Sequence, residues 1–127
     1  MIAMLTGQVR ALTLNSAIVD VNGVGMLVQI SPRLGSSLTT GTTTTLFTTL
    51  IVREDSMNLF GFENSLDRDL FELLQTVSGI GPKVAQSALS VFDAPELISA
   101  ISTEQTRALE KIPGLGKKGA EIGRAHV

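Results

Sequence analysis

Residues 74–85 read LQTVSGIGPKVA, and residues 109–120 repeat the pattern as LEKIPGLGKKGA. Each copy has a Gly-x-Gly turn with an apolar residue at its centre, a lysine two positions later and an alanine two positions after the lysine. Because glycine ends helices and adopts backbone angles closed to other residues, each copy predicts a helix, a turn and a second helix. The two copies therefore predict a tandem of helical hairpins.

The Gly-x-Gly turns have the properties of a phosphate-binding site. Glycine has no Cβ, so a ligand can approach the backbone, and the following helix offers unpaired N–H groups at the positive end of its dipole. Lys83 and Lys118 add positive charge beside those groups. A single Gly-x-Gly would more simply end a helix, but two copies with matched lysines favour nucleic-acid phosphates. Neither copy has the spacing of a nucleotide-binding P-loop.

Helical patterns surround the repeat. Asn64 and Asp67 predict the capped start of a helix whose apolar stripe is Leu66, Leu70, Leu73, Leu74 and Val77. The tetrapeptides DAPE at residues 93–96 and STEQ at residues 102–105 have the spacing of capping boxes. They predict two further short helices.

Residues 1–62 have the shorter period of β-strands. The five predicted strands are residues 4–9, residues 17–21, residues 24–30, a Thr-rich stretch that reaches Val52, and residues 59–62. Asn22-Gly23 predicts a tight hairpin turn, and Ser31-Pro32 a further turn. The Thr-rich residues 39–49 fit either a low-complexity linker or a strand with one hydroxylated, solvent-facing side, and we favour the strand. A small barrel or curled sheet is expected.

Composition limits the classes of function. The 127 residues include 43% hydrophobic residues, enough for a core, and carry a formal net charge of −2. Nucleic-acid binding must therefore be local, and residues 105–127 hold five Lys and Arg against two Glu. The absence of cysteine excludes disulfides, thiolate zinc sites and a cysteine nucleophile. The chain lacks Trp and Tyr, which favours contact with the nucleic-acid backbone over base stacking.

Localisation and cofactors follow from the same composition. No apolar run approaches the roughly eighteen residues of a membrane span, and the N-terminus does not have the apolar core of a signal peptide. We expect a soluble, cytoplasmic protein without a membrane partner. His126 is the single histidine and is expected to be a solvated terminal residue rather than a metal ligand. No cofactor and no metal site are expected.

The order of these motifs resembles the RuvA family, the Holliday-junction-binding subunits of the bacterial branch-migration machinery. The resemblance runs from Met1 to about Glu121 and is carried by Met1-Ile2, Gly7, VNGVG at residues 21–25, RED at 53–55, FGF at 60–62 and both glycine hairpins. It implies an α+β chain, with a five-stranded OB-fold β-barrel in residues 1–63 and an all-α domain with two helix-hairpin-helix motifs in residues 64–127. It also implies a homotetramer, possibly an octamer, that binds four-way junction DNA.

The resemblance assigns roles to particular residues. Phosphate contacts are implied for Gly79, Gly81 and Lys83 in the first hairpin and for Gly114, Gly116, Lys117 and Lys118 in the second. Glu54 and Asp55 correspond to the acidic pin at the centre of the family's tetramer, although the residues alone fit an ordinary polar turn. No catalytic residue is implied, because ATP hydrolysis belongs to the RuvB motor. The domain that contacts RuvB has no counterpart before Val127, so coupling to the motor is expected to be absent or weak.

Two other classes of protein fit the residues. One is a general duplex-binding helix-hairpin-helix module. The other is an enzyme like a base-excision glycosylase, which needs a carboxylate or lysine in a pocket beside the hairpin and often an aromatic wedge. The absence of Trp and Tyr disfavours the enzyme.

Overall fold

Five strands at the start of the chain close into a barrel in the computed structural model, which describes residues 1–77 and 79–102. The strands are β1 (Met4–Leu12), β2 (Ser16–Val21), β3 (Val24–Gln29), β4 (Thr43–Val52) and β5 (Met57–Phe62). Their order around the barrel is β1-β2-β3-β5-β4. All neighbours are antiparallel except β3 and β5, which are parallel and meet at Gln29 and Phe60. The prediction of five strands and a barrel is confirmed.

The turn between β2 and β3 forms as its sequence predicts. Asn22 and Gly23 both have positive φ angles, of 52° and 89°, which the two-residue turn requires. The barrel core consists of buried apolar side chains from all five strands and the segment after β3; those without measurable exposure include Val9, Val19, Val28 and Ile30.

Two expectations for the barrel need correction. Ser31-Pro32 begins a short helix, α1 (Pro32–Ser37), in place of a simple turn, because the Ser31 side chain accepts a hydrogen bond from the Leu34 N–H and Pro32 occupies the first helical position. In the Thr-rich stretch the strand begins only at Thr43, and Thr48 and Thr49 are buried. The Thr48 hydroxyl donates to the Ile2 carbonyl at 2.8 Å, so burial of this hydroxyl is satisfied.

Three further helices follow the barrel: α2 (Ser65–Leu74), α3 (Pro82–Val91) and α4 (Ala94–Ser102). The predicted caps of α2 and α4 are confirmed. The Asp67 N–H donates to Asn64 Oδ1 at 2.8 Å, and the Glu96 N–H donates to Asp93 Oδ1 at 2.8 Å while Glu96 Oε1 accepts from the Asp93 N–H at 3.3 Å. The box at residues 102–105 lies largely outside the described residues.

The buried face of α2 differs from the predicted stripe. Leu70, Phe71 and Leu74 are buried, whereas Leu66 and Leu73 are exposed. The helix ends at Leu74, and Val77 is buried in the turn that follows. Phe71, which follows Leu70 and lies three positions before Leu74, is not part of the predicted stripe.

The chain divides into two compact units between Arg68 and Asp69, within α2, whereas the sequence places the boundary after Glu63. In the first unit, the Arg68 guanidinium donates to the Ala3 carbonyl at 3.0 Å and lies 5.7 Å from the centre of the Phe47 ring. The start of α2 is thereby attached to the barrel's N-terminal segment. No helix among residues 1–77 and 79–102 is long and apolar enough to cross a membrane.

Candidate nucleic-acid interface

The first glycine hairpin joins α2 to α3 as the repeat predicts. Backbone hydrogen bonds from Val77 to Leu74 and from Ile80 to Val77, at 3.2 and 3.1 Å, tighten the chain between the two helices. Gly79 has a φ of 86°, a left-handed angle that strains any residue with a Cβ. Ile80 is buried, as expected for the apolar residue at the centre of the turn. The described residues of the hairpin therefore form a hydrogen-bonded turn whose central apolar side chain, Ile80, is buried.

The N-terminus of α3 presents its backbone without obstruction. Gly81 is the N-cap residue in an extended conformation, and no side chain caps the helix. Pro82 has no N–H, so the first donors without an acceptor inside the helix are the N–H groups of Lys83 and Val84. A Cβ built at Gly79 or Gly81 would meet no atom of the described residues within 4 Å, so these residues leave the approach to the turn open.

The charge at this turn favours an anion. The first turn of α3 contains no acidic residue, and the Lys83 side chain is exposed. Lys83 is also the one lysine or arginine in residues 69–102, a segment that carries four carboxylates. A helix dipole, two N–H donors without an acceptor inside the helix and one ammonium group thus coincide at a single position. Phosphate is the common biological anion that matches such a position.

The acidic pair lies at the tip of the hairpin between β4 and β5. The Arg53 N–H donates to the Ser56 carbonyl at 2.8 Å, which leaves Glu54 and Asp55 as the two residues of the turn. Both carboxylate side chains are exposed. Glu54 and Asp55 thus form an exposed turn between two strands, which both the polar-turn and the acidic-pin interpretations expect.

Several predicted site residues lie outside the described residues. These are the second hairpin, with Gly114, Gly116, Lys117 and Lys118, and the terminal His126. Within the part of the chain that the structure describes, no three His, Asp or Glu side chains are grouped closely enough to hold a metal ion.

Two exposed apolar residues flank the acidic turn, and neither is a site residue predicted from the sequence. Val52 and Met57 are opposite each other at the ends of β4 and β5. The available signal was an apolar residue two positions before Glu54 and another two positions after Asp55. The alternation of side chains between the two faces of a strand does not by itself place either residue at the surface.

Comparison with known proteins first defines a class of architecture. Residues 1–61 match the family described as the RuvA N terminal domain, and residues 71–121 match the SAM-like helix-hairpin-helix tandem. Together with the closed barrel and the α2–α3 hairpin, these matches define an OB-fold barrel followed by tandem helix-hairpin-helix elements.

The similarity to individual proteins is more specific. The chain is 47% identical over 121 residues to a protein of Streptomyces coelicolor, 49% identical over 121 residues to one of Thermobifida fusca and 47% identical to one of Corynebacterium aurimucosum. Each of the three is named "Holliday junction branch migration complex subunit RuvA". The alignments cover 95% of this chain and 60% of each relative. Residues 1–61 therefore belong to the RuvA N-terminal domain family, and the chain spans 60% of the length of these RuvA relatives.

Proposed function

We propose that this chain binds four-way (Holliday) junction DNA and holds it open for branch migration, acting as a non-catalytic subunit beside a separate RuvB-type motor. The observation that carries the proposal is the open, cationic N-terminus of α3 within a repeated glycine hairpin. The names of the relatives support the same assignment, since each is a subunit of a branch migration complex. A cytoplasmic location follows from this role.

The first hairpin binds a DNA phosphate through its backbone. The N–H groups of Lys83 and Val84 donate to phosphate oxygens, and the Lys83 ammonium group neutralises part of the charge. The second hairpin repeats this contact through Gly114, Gly116, Lys117 and Lys118, so one protomer holds two positions on a duplex arm. Such contacts fix the position of the DNA without reading its sequence.

Four protomers match the four arms of a junction, and we propose a homotetramer, or an octamer of two tetramers. Each protomer then contributes Glu54 and Asp55 to an acidic pin at the crossover. Carboxylates within about 8 Å of a phosphate are little screened at physiological salt, so they repel the strands from the centre. The hairpins attract the arms while the pin separates the strands.

The experiment compares binding of a four-way junction with binding of a linear duplex that has the same arm sequence, at several salt concentrations. The proposal expects clear preference for the junction and no release of bases. Equal affinity for the two DNAs would indicate a general duplex-binding module. Release of free bases would indicate an enzyme like a glycosylase.

Lys83 provides a finer test of the phosphate contact. Lys83→Ala is expected to weaken binding of every sequence alike and to make the salt dependence shallower by about one per lost contact in each protomer. Lys83→Arg is the matched control, because it retains the charge and is expected to retain the slope. A loss of affinity confined to some base sequences, or an unchanged slope for Lys83→Ala, would contradict a phosphate contact.

A further inference from the structure

The β4–β5 hairpin extends beyond the end of the barrel. Alternate residues of a strand face the same side, so Leu46, Leu50 and Val52 lie on the core-facing side of β4. Their exposed fraction rises along the strand, from 1% at Leu46 through an intermediate value at Leu50 to 61% at Val52. On β5 it rises from 6% at Leu59 to 68% at Met57. The face of β4 and β5 that packs in the core within the barrel is therefore exposed to solvent at the end of the hairpin.

Val52 and Met57 form one compact apolar surface, which we call the apolar shoulder. They are directly opposite each other in the register of β4 and β5. Because the adjacent pair Arg53 and Ser56 is hydrogen-bonded at 2.8 Å, Val52 and Met57 form a non-hydrogen-bonded pair, in which side chains approach most closely. The shoulder lies directly behind the exposed carboxylates of Glu54 and Asp55.

The charge of the tip decides what can cover the shoulder. With Arg53 beside them, Glu54 and Asp55 give the exposed tip a net charge of −1, which disfavours a phosphate backbone on the shoulder. The faces of DNA bases carry no net charge and are apolar, and apolar side chains insert at opened base steps in other DNA-binding proteins. A base freed from its stack is therefore the part of a DNA junction that fits the shoulder.

We propose that Val52 and Met57 contact the bases that are unstacked at the crossover of the junction. The tip excludes phosphates, and the shoulder behind it covers the apolar base faces that opening exposes. This inference rests on the proposed function, since it needs the hairpin to be at the crossover.

The test uses the 127-residue chain with Val52→Thr and Met57→Gln, which nearly keep the side-chain size and replace the end of each apolar side chain with a polar group. An immobile junction carries 2-aminopurine at the crossover, where unstacking raises its fluorescence. We expect the double variant to lose about half or more of the fluorescence increase and to bind the junction about threefold to tenfold more weakly. Duplex affinity is expected to be unchanged.

A matched control removes equally exposed apolar surface elsewhere on the barrel. Val24→Thr with Met4→Gln changes the same residue types at 58% and 56% exposure and is expected to behave as the wild type. Thermal melting checks that the variants fold. If the double variant melts at a lower temperature than the wild type, Val52→Thr alone, at an exposed strand position, is expected to give a smaller loss of fluorescence increase and junction affinity.

The outcomes separate this inference from the proposed function. A wild-type chain with no preference for the junction would overturn both. The folded Val52 and Met57 variants could instead keep the full junction preference and fluorescence increase of the wild type. That result would overturn only the proposed contact of the shoulder with bases. An equal effect in the control would also overturn the contact with bases. A change of oligomeric mass in the double variant would do the same, because the shoulder would then be a contact between copies.

Discussion

Gly7 lies in β1 beside Asp20 of β2, where the chain leaves no space for a side chain. A Cβ built at Gly7 would overlap the carbonyl oxygen of Asp20 and lie 3.0 Å from a methyl group of Val19. Since the obstructing atom belongs to the backbone of a paired strand, it cannot rotate away. Glycine at this position is required by the close approach of two strands.

We expect Gly7→Ala to lower the free energy of unfolding by about 1–3 kcal/mol, the usual effect of overpacking. Gly25→Ala is the control, because its Cβ would lie at an ordinary 3.5 Å from Ile18 Cγ2. That variant is expected to remain within about 0.5 kcal/mol of the wild type. Urea unfolding measures both, and equal midpoints for the two variants would contradict the steric argument.

Asp20 holds the turn between β2 and β3. Its Oδ1 accepts from the Gly23 N–H at 2.7 Å, and its Oδ2 accepts from Arg10 at 3.0 Å. The hydrogen bond from Gly23, followed by that from Arg10, lowers the pKa of Asp20 below its ordinary 3.8. Because the folded pKa is lower than the unfolded one, the ionised carboxylate stabilises the fold above pH 3.8, and this contribution is lost as pH falls through the lowered pKa.

Comparison with Asp20→Asn tests this pH dependence. We expect the wild type to be the more stable protein at about pH 7 and its advantage to shrink as the carboxyl group protonates in acid. Chemical unfolding of both proteins across this range gives the difference. A difference that does not change with pH would mean that the charge of Asp20 does not contribute.

At the scale of an element, the α2–α3 hairpin contains two glycines with different constraints. Gly79 has a positive φ, whereas Gly81 is extended at the N-cap of α3, with a φ of −91° and a ψ of −176°. At both positions, no atom of residues 1–77 and 79–102 lies within 4 Å of where a Cβ would stand. Backbone conformation, and not crowding, therefore distinguishes them.

The same substitution is expected to lower stability at Gly79 but not at Gly81. Gly79→Ser should cost about 1–2 kcal/mol because of the left-handed angle. Gly81→Ser should be neutral or stabilise by a few tenths of a kcal/mol, because serine is a good N-cap residue. Its hydroxyl would also accept from the N–H groups proposed to bind phosphate, so Gly81→Ser should weaken DNA binding while keeping the fold.

Melting temperatures and duplex affinity together measure these effects. Gly81→Ser with unchanged DNA affinity would argue against a phosphate at the α3 N-terminus. Gly79→Ser as stable as the wild type would argue that the turn relaxes to another conformation.

At the scale of the whole molecule, the proposed acidic pin lowers the affinity for DNA and raises the preference for a junction over a duplex. Two like charges about 4 Å apart repel by about 4 kcal/mol at an effective dielectric near 20, before ions screen them. We therefore expect Glu54→Gln with Asp55→Asn to tighten binding of junction and duplex, and to tighten duplex binding more. The ratio of the two affinities should fall.

Glu63→Gln with Asp67→Asn provides a control with the same change in net charge, outside the β4–β5 turn. We expect it to leave the ratio of junction to duplex affinity unchanged. Melting curves check that both variants fold. An unchanged ratio in the folded Glu54 and Asp55 variant would mean that the pair is only a polar turn.

The sequence by itself determined the features that depend on neighbouring residues. The Asn22-Gly23 turn, the Asn64 and Asp93 caps and the α2–α3 hairpin all formed as predicted, because their hydrogen bonds join groups within a few positions of each other. The Gly-x-Gly-x-Lys repeat also predicts a phosphate site, because its N–H donors and its charge lie in one short segment, and this site stays a prediction.

Only the tertiary structure decided the features that depend on distant parts of the chain. Burial of Phe71 in place of Leu66 and Leu73 depends on what packs around α2. The hydrogen bond that satisfies the buried Thr48 hydroxyl is made to the distant carbonyl of Ile2. The exposure of Val52 and Met57 depends on where the barrel ends, because an apolar strand residue is core only while other strands cover it. Neighbouring residues determine where the turns form, whereas the closed barrel determines which side chains are exposed to solvent.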